Sequence, residues 1–150
     1  MDPIHILLVE DNEGDILLTQ EALEDAKIIT KLSIARDGKE AIDFLTRKGK
    51  YNTVKLPGLI LLDVNLPLKN GYEVLQFIKG NKDLKHIPVI MLTTSSSKRD
   101  LDKAYDNQVS CYITKPVEIN DFITVVTAIE NFWISIVELP AENQFVYDKG

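Results

Sequence analysis

The stretch Leu59-Ile60-Leu61-Leu62-Asp63 constrains the fold of this chain more than any other. Four consecutive apolar residues without polar alternation do not suit a half-exposed sheet, where every second side chain faces water. They suit a parallel strand covered on both faces. Ile4 to Val9, Pro88 to Leu92 and Cys111 to Ile113 read as further apolar strands, with a short one at Leu32 to Ala35. Helical patterns separate them. From about Glu13 to Ala26, residues Ile16, Thr19, Leu23 and Ala26 recur at steps of three and four, and Leu17 and Leu18 are expected to widen that buried stripe. Arg36-Asp37-Gly38 turns the chain into a helix through Ala41, Ile42 and Leu45. Asn70-x-x-Glu73 is a helix start in which each side chain can satisfy the other's backbone amide, with Val74, Leu75, Phe77 and Ile78 as the buried face. A polar helix from about Lys98 to Asn107 would pack weakly and is a candidate for motion. The last helix runs from about Glu118 to Val137, before Pro140. Strands alternating with helices through short connections predict a doubly wound, three-layer α/β/α fold around a five-stranded parallel sheet. The segment Gly49 to Gly58 is longer than such connections usually are and reads as a tolerated surface insertion, with a surface loop that selects a partner as the alternative.

A chain of 150 residues fits one domain, expected to span 1–150 with an extended C-terminal helix and tail at about 130–150. The formal charge of -6 disfavours sequence-independent binding to nucleic acid or an anionic membrane, because like charges repel. A single cysteine, Cys111, excludes an internal disulfide framework, and Ile6 to Val9 is too short for a signal-peptide core or a membrane span. Both point to the cytoplasm.

In an open α/β sheet, chemistry collects outside the carboxyl ends of the strands. Those ends carry Glu10 and Asp11 (strand one), Asp63 (strand three), Thr93 (strand four) and Lys115 (strand five). Three acids packed together repel and raise one another's pKa values unless a cation compensates, and an all-oxygen ligand set selects Mg²⁺ over zinc or copper. Mg²⁺ usually completes its shell with a substrate phosphate. Lys115 and Thr93 would serve oxygens that no protein residue here supplies, so the missing group is most economically a phosphoryl.

The set Glu10-Asp11, Asp63 within LILLDVNLP, Thr93 within VIMLTTS and Lys115-Pro116 within YITKP resembles the receiver domains of bacterial two-component response regulators, from about Ile4 to Ile136. The resemblance implies a flavodoxin-like sheet in the order 2-1-3-4-5. It implies that Asp63 accepts a phosphoryl group from a phosphohistidine on a sensor histidine kinase, and that the protein is a signalling domain catalysing only its own phosphorylation and dephosphorylation. Asp11, Asp63 and the backbone carbonyl of Asn65 would bind Mg²⁺, with Glu10, which stands where many receivers have Asp, acting largely through water. Thr93 and Tyr112 would form the switch, remodelling the face made by the fourth helix, fifth strand and fifth helix. Lys115-Pro116 is expected to be a cis peptide.

The last helix has more apolar surface than a sheet needs. Ile119, Phe122, Val126, Ile129 and Trp133 form one stripe, and Val125, Phe132 and Ile136 a second that reads as an association surface. This tail, with the long loop before Leu59, resembles the stand-alone regulators that partner bacterial phytochromes, and the resemblance implies homodimerisation through this region. A receiver-like module working without phosphorylation is one alternative, and the complete acid, hydroxyl and lysine set weighs against it. A haloacid dehalogenase-type phosphotransferase is another, but that class needs an Asp where this chain has Asn65. A flavodoxin would need a phosphate-cradling loop where acids stand after strand one.

Overall fold

The computed structural model describes residues 3–25, 30–94 and 111–128. Five strands, β1 (Ile4–Val9), β2 (Thr30–Ala35), β3 (Leu59–Asp63), β4 (Val89–Thr93) and β5 (Cys111–Thr114), form one parallel sheet in the order β2-β1-β3-β4-β5. The described helices are α1 (Glu13–Asp25), α2 (Gly38–Leu45), α3 (Gly71–Lys79) and α4 (Ile119–Ala128). α4 is the first part of the stretch expected as the last helix. The expected helix at Lys98–Asn107 lies outside the described residues, as do Ile129, Phe132, Trp133 and Ile136. The side chains of Val125 and Val126 lie outside them too.

Position explains composition. β3 lies at the centre of the sheet, between β1 and β4, and its residues Leu59 to Leu62 are completely buried. Leu59 and Leu61 join the core that α1 and α4 cover with Ile16, Leu23 and Phe122; Ile60 and Leu62 join the core that α2 and α3 cover with Phe44, Leu75 and Ile78. Each fully buried side chain of this size contributes roughly 1.5–3 kcal/mol relative to exposure. A one-residue slip would exchange the two faces and misplace all of them, so the register that delivers Asp63 to the strand end is strongly held.

α1 departs from the expected pattern. Its buried face is Ile16, Thr19, Ala22 and Leu23, while Leu17 and Leu18 are 56% and 44% exposed. α1 meets the sheet along one narrow stripe, and at about 100° per residue the two leucines turn past its edge. Ile16, Thr19 and Leu23 fill the stripe as expected and Ala22 joins them, while Ala26 lies outside the described residues. In α3 the Asn70–Glu73 capping box forms with both bonds at 3.0 Å, and Phe77 packs at the rim of the core that Val74, Leu75 and Ile78 enter. The connection from Gly49 to Gly58 is tied to the elements around it. It opens with a 3-10 turn at Gly49–Tyr51, Tyr51 packs on Phe44 and donates its hydroxyl to Glu40, and the Gly58 amide donates to His5. His5 shares a 3.0 Å hydrogen bond with Ser33 across β1 and β2.

Candidate functional site

Asp63 ends β3 with its side chain almost fully buried, and the backbone beyond it is braced from two sides. The Val64 amide donates to Leu92, and the Gly71 amide returns from the start of α3 to donate to the Val64 carbonyl. A Cβ at Gly71 would overlap the Asp63 carbonyl oxygen and approach Val64 Cα to 2.8 Å. A Cβ at Gly38, at the start of α2, would overlap the Lys69 carbonyl in the same loop. Both helices therefore start against the β3–α3 loop at a separation that only glycine permits.

Strand order brings the other side chains to Asp63. β1 is its neighbour, so Glu10 and Asp11 emerge beside it; one oxygen from each of Glu10, Asp11 and Asp63 falls within 4.8 Å of the others. Glu10 is completely buried and Asp11 exposed. From β5, the Lys115 amide donates to the Thr93 carbonyl at 2.7 Å, and the peptide bond to Pro116 is cis. The Lys115 ammonium donates to Glu10 Oε1 at 2.9 Å and to Asp15 Oδ2 at 2.8 Å, and stands 3.3 Å from Asp63 Oδ1. That Asp63 oxygen is buried and accepts no hydrogen bond.

Among the described residues, three carboxylates thus face the Lys115 ammonium, and Asp11 stands beside two of them. Burial and then the charge of Glu10 push the Asp63 carboxyl up to about 7, against the pull of Lys115. Burial alone would lower the Lys115 ammonium, but hydrogen bonds to Asp15 and Glu10 and the charges of Asp63 and Glu10 outweigh it and hold it raised. Among the described residues the acids therefore outnumber the positive charge at the site. An all-oxygen cluster with a buried, unsatisfied carboxylate oxygen fits a hard divalent cation.

The remaining expected residues lie around this cluster. Thr93 is buried at the end of β4, in register with Thr114 of β5. Asn65 is exposed, two residues beyond Asp63. Tyr112 is half-buried against the α2–α3 core, on the opposite face of the sheet from Phe122. Asp15 was not anticipated. Its signal was its place near the start of a helix that opens at the acidic strand end, where an acid can turn back over that rim. Asn12 fixes this geometry: its side chain accepts from the Asp15 amide at 2.9 Å, and its own amide donates to Glu10 Oε2 at 3.2 Å.

The model of the response regulator receiver domain matches residues 6–127. The chain belongs to this family. The receiver is 48% identical to response regulator Rcp1 of Synechocystis sp. over 139 residues, which is 93% of this chain and 95% of that one. The crystal structure of the Mn²⁺-bound form of Rcp1 aligns with a TM-score of 0.74, covering 92% of this receiver and 99% of that chain. The bacteriophytochrome response regulator AtBRR, 42% identical, aligns at 0.81 over 89% and 96% of the two chains. The phosphorylated cyanobacterial phytochrome response regulator RcpA, 45% identical, aligns at 0.76 over 93% and 99%. The chain is thus a receiver of two-component signal transduction, built on the five-stranded 2-1-3-4-5 sheet and bearing an acidic site suited to a divalent metal. It is a signalling domain rather than an enzyme turning over a separate substrate.

Proposed function

We propose that the receiver takes a phosphoryl group from a phosphohistidine of a sensor histidine kinase onto Asp63, with Mg²⁺ as the metal. The observation that carries this reading is the Asp63 Oδ1 atom, buried, free of hydrogen bonds and 3.3 Å from the Lys115 ammonium. An oxygen that accepts no hydrogen bond retains its lone pairs for an incoming phosphorus. In the transfer, the bond from phosphorus to the histidine nitrogen breaks as the bond to the Asp63 oxygen forms, and the imidazole leaves with the electron pair. Phosphoryl transfer asks little covalent work of a protein beyond positioning and charge neutralisation. Lys115 neutralises the equatorial oxygens and Thr93 donates a hydrogen bond to them. Asp11, Asp63 and the Asn65 carbonyl would hold Mg²⁺, with Glu10 assisting through water, and the ion would supply the further positive charge that the acids demand. Water later hydrolyses the acyl phosphate, so the domain catalyses only its own phosphorylation and dephosphorylation.

Thr93 and Tyr112 act as the switch, coupling the phosphoryl group to the surface around β5 as a shift between populations. The kinase is a bacterial phytochrome. Support comes from the likeness to AtBRR and RcpA, both described as phytochrome or bacteriophytochrome response regulators. The apolar residues Val125, Phe132 and Ile136 would pair two copies of the chain.

Acetyl phosphate or beryllofluoride with Mg²⁺ tests the phosphoacceptor. Wild type should shift on a phosphate-affinity gel and show a changed Tyr112 resonance, and Asp63→Asn should do neither. Retained labelling in Asp63→Asn would remove Asp63 from its role. Transfer from an autophosphorylated bacterial phytochrome, compared with an unrelated histidine kinase, tests the partner.

A further inference from the structure

The phosphoacceptor reading gives Glu10, Asp11, Asp63, Thr93 and Lys115 their tasks and leaves Asp15 without one. Yet Asp15 makes the shortest bond to the lysine of the site. Its Oδ2 receives the Lys115 ammonium at 2.8 Å, against 2.9 Å to Glu10 and 3.3 Å, with no hydrogen bond, to Asp63. The contact joins residues a hundred positions apart, and Asp15 is held to it by the Asn12 side chain capping its backbone amide.

We infer that Asp15 is a positioning residue that competes with the incoming phosphoryl group for Lys115, parking the ammonium toward α1 until Asp63 is phosphorylated. The inference rests on the assignment of Asp63 as phosphoacceptor. An ammonium has three donors, and two are committed to Glu10 and Asp15. The third is not aimed at Asp63, since Oδ1 at 3.3 Å accepts no hydrogen bond, so turning it onto a phosphoryl oxygen there swings the ammonium away from one of the two. Glu10 is completely buried, so a carboxylate abandoned there would keep its full desolvation cost. The Asp15 side chain is 28% exposed and can be taken up by water. Asp15 is therefore the partner released. Its bond to Lys115 raises the free energy required to bring the lysine to the phosphoryl group and stabilises the unphosphorylated form.

The test is beryllofluoride titration of the full chain at saturating Mg²⁺, with Mg²⁺ affinity measured separately by calorimetry. Asp15→Asn and Asp15→Ala should each lower the half-saturating beryllofluoride concentration by about fivefold, the size of one released hydrogen bond. The control Glu13→Gln removes the same charge from the first turn of α1, where the carboxylate pairs with Arg36 and not with Lys115, and should leave the titration unchanged. In a Lys115→Ala background, Asp15→Asn should give no further gain, because its effect passes through the lysine. In the wild type, the Asp15 carboxyl carbon resonance should move when beryllofluoride is added and stay still in Lys115→Ala, a readout that needs no Asp15 variant to fold. An unchanged or weakened titration in the Asp15 variants, an equal gain without Lys115, or a motionless Asp15 resonance overturns the inference while leaving the phosphoacceptor assignment standing. A wild type that takes up no beryllofluoride overturns both.

Discussion

In the metal-free protein, burial and the neighbouring Glu10 hold the Asp63 carboxyl up to about 7, above its ordinary 3.8. A carboxyl raised on folding binds more protons in the native than in the unfolded state. Its contribution to stability is therefore complete below about pH 4 and is lost as pH rises through about 7, with a span on the order of a few kcal/mol. Thermal unfolding without metal should accordingly lose stability between pH 5 and about 7, and Asp63→Asn should flatten that part of the profile and melt higher than wild type at pH 8. A profile for Asp63→Asn parallel to that of wild type would show that the charge at this position is not in conflict with the fold. The raised Lys115 acts in the same direction but at far higher pH: its stabilisation is present below its unfolded value and fades only in strong alkali.

The helices that begin at the rim of the sheet place the site as much as the strands do. Gly71 lets the first turn of α3 rest on the Asp63 carbonyl. Gly71→Ala forces that contact apart and should destabilise the protein by about 2–3 kcal/mol, as overpacking does. It should also weaken Mg²⁺ binding, because the backbone that yields is that of Asp63 and Val64. Denaturant unfolding and calorimetry read the two effects separately. Asn70→Ala removes one half of the capping box at the same helix start, at a cost of about 1 kcal/mol. Its box stands off the site, so metal affinity should hold. Equal losses of Mg²⁺ affinity in both variants would mean that the start of α3 acts as one loose unit rather than through the Gly71 contact.

For the molecule as a whole, a cation that binds only the assembled cluster stabilises folding by mass action, by about 2.7 kcal/mol at a hundredfold excess over its dissociation constant. Mg²⁺ should raise the melting temperature of wild type, and Asp11→Asn should abolish most of that rise. Because Asp11 is exposed, the substitution should barely change metal-free stability. A full Mg²⁺ response in Asp11→Asn would take that residue out of the metal site.

Much of this organisation is legible in the chain, because burial on both faces of a parallel strand leaves no polar alternation. Leu59 to Leu62 announces its central place, and each strand end follows from where the apolar run stops. Periodicity was less informative on the helices. Leu17 and Leu18 look as fit for the core as Ile16, and only the angle at which α1 meets the sheet turns them outward. Likewise, nothing local distinguishes Tyr51 from a surface tyrosine before it lies on Phe44. The sequence by itself determined the sheet, the alternation of its elements and the acids at the strand ends, since these depend on patterns within ten residues or so. Only the tertiary structure decided which acids Lys115 meets, because Glu10, Asp15 and Asp63 reach it through strand pairing and helix docking across a third of the chain or more.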